Sequence, residues 1–288
     1  MRTLDEVMEL PWDKPFPRAV QIETASRCNA HCDFCPYQET SQLFPAGTMD
    51  DGLFYKILDE LATFRPQMVA PYLNNEPLLD KKITQRIRAI RNALPDTFID
   101  FSTNASALTP RIADELTSPE LGIDEIKLNM PSADPSEYER IMGLRYERTV
   151  ENTRSFIARA KEKKFPGRYR IIIVGSATPQ DERFWQQEGI EVKVYRKLSR
   201  GGAIDTGTPA KDHVNGCKYD REKEWMHVLH TGEVVLCCMD WYKEHVLGNL
   251  KESTVSHVWN SERYSAIRKR VADSTDKSFI CNKCEWGK

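Results

Sequence analysis

An alternation of segments constrains this chain most. Strand-like stretches at 18–24, 67–73, 98–103, 124–130, 169–176 and 190–196 are interleaved with stretches whose apolar residues fall at helical spacing, at 49–64, 83–94, 110–118 and 146–163. Strand and helix taking turns imply right-handed βαβ crossovers, which lay the strands parallel in one sheet. Near residue 200 the pattern breaks at "SRGGAIDTGTPAKDHVNG", rich in Gly and turn residues, and a boundary is expected at about residue 205. Beyond it, "WMHVLHTGEVVLCCMDW" reads as a hairpin about Thr231–Gly232, residues 253–273 are helical in composition, and "CNKC" lies close to the end. The expectation is an α/β fold of two parts: 1–205, a sheet domain with an N-terminal extension, and 206–288, a small α+β module that does not continue the sheet.

All eight cysteines fall outside the middle of the chain. Cys28, Cys32 and Cys35 form a C-x3-C-x2-C run after the first strand, and Cys217, Cys237, Cys238, Cys281 and Cys284 belong to the last quarter. The opening residues lack the apolar region of a signal peptide, and no apolar run is long enough to span a membrane. A cytoplasmic location is therefore expected, where thiols stay reduced, so the cysteines point to metal or redox chemistry before disulfides. Charged residues make up 29% of the chain, yet the net charge is only -2. That balance disfavours a nucleic-acid or membrane-surface binder.

Three thiolates are one short of a tetrahedral structural zinc site; a distant His or Asp could complete one, whereas His31, inside the loop, is poorly placed. Three can hold three irons of a [4Fe-4S] cluster and leave the fourth iron for an outside ligand. Ligand sites in parallel α/β sheets lie at the carboxyl ends of strands, where this loop sits.

C-x3-C-x2-C after the first strand of a six-stranded βα array resembles the radical S-adenosylmethionine (SAM) superfamily, and the resemblance covers the whole chain. It implies a partial (β/α)6 TIM-like barrel and a [4Fe-4S] cluster held by Cys28, Cys32 and Cys35. The open iron would be chelated by SAM, which yields a 5′-deoxyadenosyl radical. It places Phe34 near the adenine. "NNEP" (74–77) stands where the family often has Gly-Gly-Glu-Pro, so Glu76, helped by Asn75, would meet the SAM ammonium. "STN" (102–104), with Ser102 and Asn104, resembles the segment that meets the methionyl carboxylate. Asn129 stands where a ribose-binding Ser is common. An external electron donor such as flavodoxin or ferredoxin is implied.

The C-terminal cysteines resemble the opening of SPASM and Twitch domains, the auxiliary-cluster modules of the same superfamily. Too few cysteines follow for two auxiliary clusters. The shorter Twitch pattern implies one [4Fe-4S] cluster on Cys217, Cys237, Cys281 and Cys284; a four-cysteine zinc site satisfies the same spacing. Cys238 is left over. Neighbours on a strand face opposite ways, so Cys237 and Cys238 are not expected to share a cluster. Cys238 reads either as an inert buried thiol or, as in radical SAM epimerases, as the donor that returns hydrogen to the substrate's other face. On the latter ground the expected function is an aminoglycoside epimerase of antibiotic biosynthesis, with an aminoglycoside or aminosugar substrate. The alternatives are a Twitch-type dehydrogenase acting on an aminocyclitol and a peptide-modifying enzyme; residues before Arg18 look too few for a leader-binding domain. A polycationic substrate calls for carboxylates in its pocket, and Asp240 is a candidate.

Overall fold

The computed structural model describes residues 3–175 and 177–288. The six expected strands form: β1 (Ala19–Ile22), β2 (Met68–Ala70), β3 (Phe98–Thr103), β4 (Glu125–Asn129), β5 (Arg168–Val174) and β6 (Glu191–Tyr195). They pair in parallel in sequence order. The segment expected as a strand over 169–176 ends at Val174, and Ser176 lies outside the described residues. Helices at Asp51–Phe64, Ile83–Ala93, Pro110–Leu116 and Tyr146–Glu162 make the crossovers where helical spacing places them. Two further helices, Pro135–Met142 and Pro179–Gln187, start at Pro behind Asp134 and Thr178, whose side chains accept the N–H groups of Glu137 and Asp181. Among the described residues no helix is long and apolar enough to cross a membrane.

The outer face of the sheet is apolar. Ile99, Phe101, Ile126, Leu128, Ile171 and Ile173 are buried in one core with Ile57, Ile87, Phe156 and Trp185 from the crossover helices. Alternation turns Asp100, Ser102, Lys127, Asn129 and Arg170 the other way. A closed β/α barrel fills its interior with branched apolar side chains; here the interior is polar. Lys127 pairs with Asp100 at 2.7 Å, and Arg170 bridges Glu125 and Glu191. The short helix Leu4–Met8 packs against Ala19, Met68, Phe98 and Trp225, at the amino ends of their strands, and plugs that end.

The C-terminal part does not stand apart from the sheet. β7 (Trp225–Val228) pairs in parallel with β1, with Ala19 opposite Trp225 and Gln21 opposite His227. The hairpin to β8 (Glu233–Val235) forms about Thr231–Gly232, with Gly232 at φ +88°, and β9 (Val246–Asn249) adds a third antiparallel strand. The result is one nine-stranded sheet. The free edge of β1 explains this: its backbone groups need partners, and β7 supplies them. The helical stretch at 253–273 is two helices, Val255–Trp259 and Glu262–Ala272, the second capped by Ser261.

Arg18 fastens the join. Its buried guanidinium donates to Gln67 Oε1 (2.6 Å), Glu224 Oε1 (3.1 Å) and the carbonyls of Val7 and Leu10. Arg18→Met removes every one of these bonds and leaves Glu224 without its cation. The expected cost is about 3 kcal/mol, read as a lower urea midpoint.

Candidate active site

The cysteine loop lies over the carboxyl ends of the strands and is held on three sides. The Tyr37 hydroxyl donates to the Ser26 carbonyl (2.9 Å) and accepts the Cys28 N–H (2.8 Å). Asn29 donates to Ser106 Oγ (2.8 Å) and accepts from Asn104 Nδ2 (3.0 Å). The N–H groups of His31 and Asp33 donate to the carbonyls of Met142 and Ile141, at the end of the helix Pro135–Met142. Gly143 follows that helix at φ +62°, and a Cβ there would lie 2.9 Å from His31 Cβ, so the close approach requires glycine. Thus held, Cys28, Cys32 and Cys35 line one cavity of about 280 Å³ together with Phe34. Burial pushes these thiols up, Cys28 to about 12.

Every residue the sequence assigns to SAM lines that same cavity: Phe34, Asn75, Glu76, Ser102, Asn104 and Asn129. Glu76 is buried, and its backbone N–H donates to the Arg27 carbonyl, tying it to the cysteine loop. Its carboxylate accepts from Leu78 N–H (3.0 Å), Thr103 Oγ1 (2.6 Å) and Asn104 N–H (2.6 Å). Burial outweighs these donors and raises its pKa to about 7. Asn75 accepts the Leu73 N–H, while its buried Nδ2 has no partner. Asn129 donates to Ser102 Oγ and the Thr103 carbonyl through Nδ2. Asn104 is engaged differently: Nδ2 holds Asn29 and Oδ1 accepts from Ser106.

Cys217, Cys237, Cys281 and Cys284 line a second cavity. The chain end folds back to make it. Lys218 N–H donates to the Trp286 carbonyl, Lys288 N–H to the Gly216 carbonyl, and buried Asn282 holds the carbonyls of Lys211 and Ser274. Glu222 also lines this cavity, with both carboxylate oxygens buried and without hydrogen-bond partners, and burial raises its pKa. Nothing in the local sequence marked Glu222.

Cys238 faces the first cavity, beside Trp241, and Cys237 the second. Strand alternation is not the cause. β8 ends at Val235, and the two cysteines diverge in a turn closed by Asp240 N–H donating to the Cys237 carbonyl (3.0 Å). Asp240 does not serve a substrate pocket: it is buried and accepts the N–H groups of Glu244 (2.9 Å) and His245 (3.0 Å).

The barrel interior opens beside the first cavity as a larger one of about 760 Å³, with Tyr72, Ser102, Asn129 and Arg200 common to both. The carboxylates expected for a polycationic substrate do not dominate its walls. Lysines and arginines do, among them Lys193, Arg196, Lys218 and Arg221. Sequence reading missed this lining because the residues come from stretches far apart in the chain. It also missed Tyr72, whose hydroxyl donates to Asp100; burial, then that carboxylate, raises its pKa well above the usual value.

The radical SAM superfamily model matches residues 22–186, and a model described as an iron-sulfur cluster-binding domain (SPASM) matches 217–285. The chain is 22% identical over 278 residues to the S-adenosyl-L-methionine-dependent 2-deoxy-scyllo-inosamine dehydrogenase of Niallia circulans, covering 94% of each. Among solved structures, BtrN in complex with AdoMet and 2-DOIA superposes with TM-score 0.65 at 20% identity, over 95% of this chain and 94% of that one. SuiB of Streptococcus suis bound to its precursor peptide SuiA superposes with TM-score 0.68 at 15% identity, over 93% and 71%. The first family model implies SAM and a [4Fe-4S] cluster, and the second auxiliary iron-sulfur binding. The donor sets suit both: three thiols on one cavity with an unpartnered amide at Asn75 and a buried carboxylate, and four thiols on another. The first match runs from the end of β1 through the last crossover helix, over more than half of the sequence, and the chain belongs to the radical SAM superfamily.

Proposed function

We propose that this radical SAM enzyme is a dehydrogenase that oxidises a hydroxyl-bearing carbon of a polar small molecule. The likeness to the inosamine dehydrogenase, near end to end in both chains, carries this reading. When bound, SAM and the first cluster would supply the chemistry for hydrogen-atom abstraction from carbon, and the auxiliary cluster would supply a one-electron acceptor. In this reading Cys28, Cys32 and Cys35 hold the first cluster, and Cys217, Cys237, Cys281 and Cys284 the second. Glu76 receives the SAM ammonium and Asn75 Nδ2 assists on the same side. Phe34 lies against the adenine, and Asn129 Oδ1 is available to a ribose hydroxyl. Ser102 orients Asn129. Asn104, on the same cavity, positions the cysteine loop through Asn29. A flavodoxin or ferredoxin supplies electrons from outside. Chain boundary and roles together make 1–205 the SAM-binding unit and 206–288 the auxiliary-cluster unit, joined through β1 and β7.

The epimerase expected from the spare cysteine remains as a second reading, favoured by one observation: Cys238 faces the SAM-side cavity. The two readings separate by mass. Reaction in D2O is expected to give a product two hydrogens lighter than the substrate with no deuterium on carbon, and Cys238→Ala is expected to keep forming it. A product of substrate connectivity carrying one deuterium on the inverted carbon, lost in Cys238→Ala while 5′-deoxyadenosine still forms, establishes the epimerase instead.

The Glu76 assignment has a pH signature. In the ligand-free site the carboxyl is neutral below about pH 7. An ammonium prefers the ionised form, so affinity for SAM should rise with pH through that value. Calorimetry on the reconstituted enzyme is expected to show SAM binding weaker by about tenfold at pH 6 than at pH 8. Glu76→Gln should bind more weakly and lose most of this dependence.

A further inference from the structure

We propose that the cavity inside the barrel is an anion-binding substrate site, taking a small molecule that carries a phosphate or a carboxylate. This rests on the reading of the chain as a radical SAM enzyme acting on a small molecule, and names the class of that molecule. The reason is an imbalance of charge. Lys127, also on the wall, is answered by Asp100 at 2.7 Å. Lys193, Arg196, Arg200, Lys218 and Arg221 line the same space, and none of the five takes part in an ion pair among the described residues. The acids on the wall do not balance them. Glu224 belongs to Arg18 (3.1 Å), which leaves Glu285, held by Ser199 N–H (2.7 Å) and Oγ (2.9 Å), and the exposed Asp5 as the other acids on the wall, against five cations of which Arg196 and Lys218 are themselves exposed.

Two of the cations are built in place. The Arg221 guanidinium lies 3.9 Å from the centre of the Trp225 ring and 5.4 Å from that of Trp286, and its buried Nε has no hydrogen-bond partner among the described residues. A stacked arginine with polar edges left over is preorganised for an oxyanion. Arg200 takes φ +54°, a left-handed conformation uncommon outside glycine, while buried Ser199 before it is pinned by Glu285 and the Lys283 carbonyl. Such conformations persist where the surroundings impose them, often at functional sites. Arg200 lines both this cavity and the one that holds the SAM residues, so an anion on the cationic side would keep the rest of the ligand beside the reaction centre. The volume of about 760 Å³ suits a small molecule. A polycationic aminoglycoside would meet a wall on which the cations without ion pairs outnumber such acids.

The test uses the full-length, reconstituted, SAM-loaded enzyme under anaerobic conditions, with calorimetry against inorganic phosphate, malonate and the diamine 2-deoxystreptamine. Phosphate or malonate should bind, more weakly as sodium chloride is added, and 2-deoxystreptamine should not. Tighter phosphate binding identifies a phosphoryl group, tighter malonate binding a carboxylate. Arg221→Gln and Lys193→Gln should each weaken the anion by about tenfold or more with SAM affinity unchanged; iron content should be unchanged in Lys193→Gln, the control for Arg221, which also lines the cavity of the four C-terminal cysteines. Should Arg221→Gln not fold, Lys193→Gln, on the outermost strand of the sheet, carries the test. The proposal is overturned if neither anion binds up to millimolar concentration, if 2-deoxystreptamine binds as tightly as the anions, or if Lys193→Gln binds them like the wild type. The product's mass is read separately. Anion binding with an epimerised product removes the dehydrogenase reading and keeps the site, whereas a neutral or cationic substrate oxidised by two hydrogens does the reverse.

Discussion

The pairing of β7 with β1 is the constraint on which the rest depends. A partial barrel leaves one edge of β1 open, and an unpaired edge invites any strand that can reach it. Here the strand comes from the same chain, more than two hundred residues later, and its register sets Gln21 beside His227. The hairpin that follows is thereby carried to the carboxyl ends of the barrel strands. Cys237 and Cys238 then stand between two cavities, one cysteine facing each. Without that join, the C-terminal cysteines would have no defined distance from the first three. Arg18 secures it where three separate stretches of chain meet.

A second constraint is the polarity of the barrel interior. Asp100 with Lys127, and Arg170 with its two glutamates, form layers that neutralise themselves. Burial alone would depress Lys127; the adjoining Asp100 and Glu125 carboxylates outweigh it and raise its pKa, so the layer stays charged. These layers occupy space that apolar side chains fill in a closed barrel, yet they do not fill it, and the cavity remains. Beyond them the balance fails, because the chain supplies cations from β6, the 196–200 segment and the 218–221 segment without matching acids. Fold and cavity charge are thus linked through the placement of a few ion pairs.

The cysteine loop illustrates how preorganisation is distributed. None of its thiols is placed by its own spacing alone. Tyr37 fixes the entry, Asn29 and Asn104 the middle, and the carbonyls of Ile141 and Met142 the far side. Thr103 and the Asn104 N–H reach from the end of β3 to Glu76 at the end of β2. One lattice therefore joins the loop to two successive strand ends. At its centre Glu76, Thr103 and Asn104 are buried, so a displacement of one would be felt at the others.

What the sequence determined by itself was local. The βα alternation, the C-x3-C-x2-C loop after the first strand, the polar residues at successive strand ends and the C-terminal cysteines are short-range patterns, because backbone periodicity and ligand spacing are set within a few residues. They suffice for the parallel sheet and the membership in the superfamily. What only tertiary structure decided depends on pairs far apart in the chain. The sheet's continuation through β7 was not expected, since nothing near residue 225 announces a partner at residue 19. Asp240 looked available beside Cys238 but caps its own turn. The turn after β8, not strand alternation, separates Cys237 from Cys238. The charge of the substrate cavity was invisible for the same reason. In a chain whose acids and bases nearly cancel, the field at one place depends on which carboxylates come within about 4 Å of which cations, and folding alone settles that.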